Sequence, residues 1–397
     1  MHLSDFATEN FRQDPYPTYA RLRAEGPLVE VAERRLMTGH YAVVDSLLSD
    51  RRVGRDYLQS IRLRYGAAAV EMPLFQGMSR MFLLVNPPVH TRLRGLMTQA
   101  FSARQMESMR EVASDTAEAL IAGFRAHGHC DVLRDFAFPL PIRIICRMLD
   151  IDPADATTVG HATSALAKVF DPMMTPDELE ATSAAYLQLE RYFHAVIEAR
   201  RSSDGDDLIS RFIRAEDDGH RLSGDEIVSN VILLFFAGHE TTSNMICNAL
   251  VALHRHPEQL AQLRANPALL PNAVLECLRY DSSVQMATRT VLQDFELAGS
   301  TLHEGEMVHL MLGAANHDPA QFSDPQVLDI RRQQGRALSF GGGIHHCLGN
   351  RLALIEMEAA LAALLTQLPA LRLDQLQTLT WNDRANLRGV DALLASW

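Results

Sequence analysis

Lysine is all but missing from this chain. Of its 37 basic residues one is lysine, Lys168, and the other 36 are arginine, a bias that reads as genome composition. Positive charge is in deficit too. The 49 acidic residues leave a formal net charge of −12, and no long basic run is present. That argues against binding nucleic acid or anionic lipid. Long apolar runs are lacking: none exceeds the length of Val231 to Ala237, far short of the roughly 20 residues a membrane span needs, and no membrane anchor is expected. The first residues show no basic flank followed by an apolar core, so no secretory signal is read there. Cysteines are few, five in all (Cys130, Cys146, Cys247, Cys277 and Cys347), odd in number and without CxxC pairing. This excludes a disulfide scaffold and fits a reducing, cytoplasmic setting. No repeat, low-complexity tract or Gly/Ser linker divides the chain. A single domain over residues 1–397 is therefore expected, although length alone would suggest two or three.

What is present reads mostly as helix. Ser223-Gly224-Asp225-Glu226 is a capping box, in which the serine meets the first-turn amides and Glu226 reaches back. The spacing predicts a helix from there to about His254, stopped by Pro257 and some 45 Å long. It is apolar nearly all round from Val231 to Phe236, so its middle is expected to be buried. A second helix is predicted from about Gly349 to Leu365, with Leu352, Ile355, Ala359, Leu361 and Leu364 facing inward. Leu208, Ile209, Phe212 and Ile213 mark a short helix in the polar stretch before the long one. Strand candidates are short and late: Thr290–Leu292, Phe295–Leu297, Met307–Leu312 and Leu387–Leu394. The fold class is mainly α with small β-sheets.

The sharpest local feature is Phe340-Gly341-Gly342-Gly343-Ile344-His345-His346-Cys347-Leu348-Gly349, a glycine-rich loop feeding a helix. Glycine permits positive φ and close backbone approach, and a cysteine near a helix N-terminus is favoured as thiolate. Besides a structural thiol, several chemistries compete. Zinc is weak, because His345, His346 and Cys347 are adjacent and no second ligand pair follows. A phosphate loop fails, because GxGxxG would need glycine where His346 stands. A nucleophilic cysteine with a histidine base, as in a cysteine hydrolase, and a thiolate ligating haem iron both remain.

The long helix weighs between them. Its centre reads Ala237-Gly238-His239-Glu240-Thr241-Thr242, placing an acid and a hydroxyl where burial costs several kcal/mol unless they are hydrogen-bonded or used. Gly238 weakens the helix there by up to about 1 kcal/mol relative to alanine. The pattern predicts a local opening with room for water or a small ligand. A cysteine hydrolase has no use for such a pair, whereas oxygen activation needs a proton delivered in a site that excludes water.

The loop ending at Cys347 resembles the haem-binding signature FGxGxHxCLG of the cytochrome P450 family in its soluble bacterial form. The Ala-Gly-His-Glu-Thr-Thr run resembles that family's oxygen-activating helix, and Glu276-Cys277-Leu278-Arg279 its ExxR motif. In family order the chain also carries Asp14-Pro15-Tyr16-Pro17, Pro87-Pro88-Val89-His90-Thr91-Arg92-Leu93-Arg94, Asp206-Asp207-Leu208-Ile209, Asp329-Ile330-Arg331-Arg332 and Leu387-Arg388-Gly389-Val390. The resemblance spans nearly the whole chain. It departs from common pattern at Asn86, usually aspartate, at Leu354, often arginine, and at Ala337, frequently histidine.

The resemblance implies one large domain with haem b between the long central helix and the Cys-ligand loop. It makes Cys347 the iron ligand and His90, Arg94, Arg289 and His345 the cations for the haem propionates. Glu276, Arg279 and Arg332 become a buried structural triad. Glu240 and Thr241 become the catalytic pair, with Thr241 hydrogen-bonding the oxygen and Glu240 linking it to a proton path. By position Leu233, Phe236, Ala237, Val284 and Met286 are expected to ring the substrate, and the segment from Tyr57 to Leu84, Met-rich and apolar, to form a variable lid. The activity implied is a monooxygenase that uses O2 and two external electrons to hydroxylate or epoxidise an apolar small molecule. A polyketide or terpenoid intermediate is the expected substrate class. The electrons would come from a ferredoxin or flavodoxin with its reductase, docking near Arg92, Arg104 and Arg351. A haem-thiolate sensor or binding protein without turnover is the alternative within the same resemblance.

Overall fold

The computed structural model describes residues 1–397 except Ser102, Asp171, Pro172, Ser203, Asp218, Gly219, Gln334 and Ala385; for Ala100, Ala103, Arg104, Glu216, Asp217 and His220 only the backbone is described. The expected docking residue Arg104 therefore has its side chain outside the described residues. In chain order the elements that carry the sites begin with strands β1 (Val29–Ala32) and β2 (Arg35–Thr38), helix α1 (Tyr41–Ser49) and strand β3 (Val53–Gly54). Next come helices α2 (Tyr57–Tyr65), α3 (Val89–Ala100), α4 (Ala156–Leu166), α5 (Pro176–Arg200), α6 (Gly224–Arg255) and α7 (Leu270–Tyr280). Strands β4 (Met286–Val291) and β5 (Met307–Met311) and helix α8 (Asn350–Gln367) complete the set.

Two compact units are formed. The first comprises Met1–Gly54, Arg110–Leu140 and Thr241–Trp397; the second comprises Arg55–Met109 and Pro141–Glu240. The first holds a five-stranded sheet in the order β1-β2-β5-β4-β3. Strand β5 pairs parallel with β2 and antiparallel with β4. Alternation puts Val308, Leu310 and Val291 on one face, packed with Val44, Leu47 and Leu48 of α1. The other face carries Met37 and Met311 against Tyr19 and Leu22. The second unit is helical around α4, α5 and the first half of α6.

The long helix runs over 32 residues, about 48 Å. Its capping box closes as expected: Glu226 N–H donates to Ser223 Oγ at 3.1 Å and Ser223 N–H to Glu226 Oε2 at 2.8 Å. The short helix is Leu208–Arg214. Strand Phe295–Leu297 stands where expected, and the Thr290–Leu292 candidate is the end of the longer β4. The expected strand Leu387–Leu394 is corrected. Leu387 and Val390 make only isolated bridges, and the strand is Leu394–Ser396. The physical reason is Arg388, whose guanidinium lies 3.5 Å over the Trp381 ring and donates to Asp281 at 2.8 Å. The backbone also changes partner along this stretch: Arg388 N–H donates to the Ser283 carbonyl at 2.7 Å, whereas the Gly389 carbonyl accepts from Asn382 N–H at 2.9 Å and Asp391 N–H donates to the Thr380 carbonyl at 3.0 Å, so no single ladder runs through it. Within the segment from Tyr57 to Leu84 the apolar residues of the second half, Leu74, Phe75, Met78, Met81 and Phe82, are buried, and Phe75 stacks on Tyr65, whereas much of the first half, Leu63 among it, is exposed.

Candidate active site

The loop before α8 is built on glycine. Gly341 and Gly343 have φ of +66° and +60°. A Cβ on Gly343 would stand 2.1 Å from the carbonyl oxygen of Leu48, at the end of α1, so the loop lies directly against that backbone. Cys347 N–H donates to the Phe340 carbonyl at 3.0 Å, closing the loop, and Asn350 Nδ2 holds the Cys347 carbonyl at 3.0 Å. Cys347 falls two residues before the helix N-cap, Gly349. It is also the one partly exposed cysteine. The other four are buried, and burial pushes all of their thiols up.

The triad is assembled in the same unit. Arg279 meets Glu276 with two bonds of 2.8 Å, and Arg332 Nε donates to Glu276 Oε1 at 3.1 Å. From Arg279 a polar chain runs to the cysteine loop. Its guanidinium donates to the Asn316 carbonyl at 2.9 Å, and Asn316 Nδ2 reaches Ser282 Oγ and Ser339 Oγ, each at 3.0 Å. Asn316 Oδ1 accepts from Leu338 N–H at 2.7 Å, so the residues just before Phe340 are fixed from below. Sequence reasoning missed Asn316, Ser282 and Ser339, because no spacing links three polar residues so far apart in the chain. The Asp-Pro-Tyr-Pro motif ends at the same place. Tyr16 OH shares its one proton between the Tyr280 carbonyl oxygen at 2.6 Å and Asp281 Oδ1 at 2.7 Å.

Arg289 is 3% exposed on β4, on the α1 face of the sheet. Among the described residues it donates to the neighbouring Thr288 carbonyl at 3.1 Å, and no carboxylate pairs with it. Desolvation alone lowers its pKa to about 10. A buried guanidinium with no counter-ion has the chemistry of a carboxylate receptor. Met286, on the same strand, faces the other way and packs with the Tyr19 cluster. The expected pocket pair thus splits: Val284 packs with the α1 cluster and Met286 with the opposite one.

In the second unit, His90 is buried on α3, with Arg94 one turn on. The Arg94 guanidinium lies 5.9 Å from the Phe82 ring, and the His90 ring 6.4 Å from it. Asn86, the departure from aspartate, uses both ends of its amide: Oδ1 accepts from Arg55 N–H at 2.8 Å and Nδ2 donates to the Arg55 carbonyl at 2.7 Å. Aspartate could not make the second bond. Arg92 is engaged with Glu226 of the capping box, which weakens its candidacy for a docking face.

Along α6, Leu233 and Phe236 are buried, as is Thr242, whereas Ala237 is exposed and Glu240, Thr241 and Asn244 are partly exposed. Residues 237, 240, 241 and 244 share one helical face. The middle of a buried helix thus carries an accessible stripe with the acid and alcohol on it. Three observations fit a haem: the accessible stripe, the buried Arg289 that pairs with no carboxylate among the described residues, and a glycine loop presenting the one partly exposed cysteine.

Glu356 carries no signal in the sequence. It lies on α8, 2% exposed and hydrogen-bonded to Thr242, and burial raises its pKa from 4.5 to about 8. The unfolded chain would release this proton near 4.5, the folded one only near 8. Its contribution to stability is therefore fully present below about 4.5 and is lost as pH rises through about 8. Glu356→Gln should lie within about 1 kcal/mol of wild type in thermal melts at pH 5. It should be more stable at pH 7 by ~3 kcal/mol, because keeping the buried acid protonated costs about 1.4 kcal/mol for each pH step above the unfolded value. An equal gap at both pH values would contradict this.

The family model described as Cytochrome P450 matches residues 159–375. The putative cytochrome P450 133B2 of Xylella fastidiosa is 57% identical over 396 residues, covering 100% of this chain and 99% of that protein. The 6-deoxyerythronolide B hydroxylase of Saccharopolyspora erythraea is 36% identical, covering 98% of each. Among solved structures, P450BioI in complex with hexadec-9Z-enoic acid ligated acyl carrier protein superposes with a TM-score of 0.92 at 32% identity, covering 98% of this chain and 99% of that one. The chain belongs to the cytochrome P450 family and is one of its haem-binding monooxygenases. Among the described residues no helix is long and apolar enough to cross a membrane.

Proposed function

We propose that this enzyme hydroxylates or epoxidises an apolar small molecule, a polyketide- or acyl-type secondary-metabolite intermediate, with Cys347 ligating haem b. Haem held by a thiolate supplies the electron density that favours O–O cleavage. His90, Arg94, Arg289 and His345 hold the propionates, and Arg289 is the strongest of these assignments because it is buried with no counter-ion among the described residues. Leu233, Phe236 and Ala237 present the apolar wall of α6 to the substrate. Thr241 positions a hydroxyl beside the reacting oxygen, and Glu240 exchanges a proton with solvent through the stripe.

The observation that carries this reading is the acid–alcohol pair on the accessible stripe of an otherwise buried helix. Two similar proteins favour the substrate class: one is named for 6-deoxyerythronolide B, and the other is in complex with a carrier protein bearing hexadecenoic acid. Electrons come from a ferredoxin or flavodoxin with its reductase, in the cytoplasm. The reduced, CO-treated enzyme should show the red-shifted Soret band of thiolate ligation, absent in Cys347→Ser. In Thr241→Ala, product per NADPH should fall about tenfold while NADPH consumption continues. Unchanged yield in that variant would remove the assigned role, and a haem-binding protein without turnover would give no product in either.

A further inference from the structure

The residue before the acid is a buried imidazole with both nitrogens engaged. His239 is 0% exposed. Its Nδ1 lies 3.2 Å from the Phe235 carbonyl oxygen, one turn back, and its Nε2 lies 3.0 Å from Ser164 Oγ on α4. A carbonyl can only accept, so Nδ1 carries a proton, and the Nε2–Ser164 bond holds the other end of the ring. The ring is held at both ends, and the turn bearing Glu240 is tied to α4. A second tie lies close by. Phe170, in the turn Ala167–Phe170 that continues α4, stacks on Phe236 with centroids 4.9 Å apart and planes at 16°. Phe236 is four residues before Glu240 and shares its helical face. Between the two ties α6 has little slack, since a Cβ on Gly238 would stand 3.2 Å from Ile145.

We propose that the Ser164–His239 bond makes His239 a positioning residue. A ligand that displaces Phe170 from Phe236 shifts α4, and the bond carries the shift to the turn that holds Glu240. The acid is then aimed when the space beside Phe236 is filled. The inference rests on the reading of Glu240 as the proton-path acid, but the tether can be tested without turnover.

Phe170→Ala removes the stacked ring as an entering ligand would. Amide hydrogen exchange over residues 237–242 of the haem-loaded enzyme then reports the helix turn. Phe170→Ala should raise exchange there at least threefold in wild type and in Ser164→Thr, which keeps the hydroxyl. In Ser164→Ala the increase should be under twofold, with α8 unchanged throughout. Nitrogen NMR of the ferrous–CO enzyme should find His239 protonated at Nδ1, with the Nε2 resonance shifted in Ser164→Ala and restored in Ser164→Thr. The same response to Phe170→Ala in the Ala and Thr backgrounds would overturn the proposal, as would an unprotonated Nδ1 in wild type. Either result leaves the Thr241 test standing by itself, so the two readings fail separately.

Discussion

Glu276→Ala is expected to lower stability by about 3–5 kcal/mol and to leave most of the purified protein without haem. The carboxylate is 3% exposed and accepts four bonds: two from Arg279, one from Arg332 and one from the Asp329 amide at 3.0 Å. Removing it leaves Arg279, itself 2% exposed, as a buried cation without a counter-ion. The loss would propagate, because the same guanidinium fixes Asn316 and, through it, Leu338 and Ser339 at the entrance to the cysteine loop. Urea unfolding should show a lower midpoint with an unchanged slope, and the haem-to-protein absorbance ratio should fall in parallel. The exposed pair Arg12–Glu9 is the contrast: Glu9→Ala should leave the urea midpoint nearly unchanged, because solvent already screens it. Equal costs at the two sites would refute the triad's role.

Gly343→Ala should be nearly as damaging, for a different reason. At φ +60° a Cβ costs about 1–2 kcal/mol in conformation alone. Here it would also collide with the Leu48 carbonyl oxygen at 2.1 Å and with Ser49 Cα at 3.0 Å, both of them backbone. Neither neighbour can rotate away, so the loop that presents Cys347 must move. Gly341→Ala provides the control, since it has a similar φ of +66° but nothing within 4 Å of the added carbon. We expect Gly341→Ala to retain the red-shifted CO band with a modest loss of melting temperature, and Gly343→Ala to lose the band. A normal band in Gly343→Ala would mean that the Leu48 contact does not set the cysteine's position.

The most legible features in the sequence were local. Capping by Ser223 and Glu226, the apolar run of α6 and the inward positions of α8 follow from periodicity, which the tertiary structure did not need to override. Glu276 and Arg279 are three residues apart on one helix, so their pairing is written in the spacing. The strands were less legible. β1 and β2 are four residues each, too short for a period of two to register, and they exist because β5 pairs with β2 from about 270 residues away. Glu356 was invisible for a related reason: one acid in an amphipathic helix reads as its solvent side until its neighbours are known.

Residue order and short spacing were thus enough for the family and the main helices. Contacts between distant segments were needed for the rest. They leave Arg289 buried with no carboxylate partner among the described residues, join Asn316 to both the triad and the cysteine loop, and turn Met286 away from Arg289. They also tie His239 to Ser164. Each of these is a matter of what surrounds a side chain, and burial and partnership arise from segments that meet only when the chain has folded.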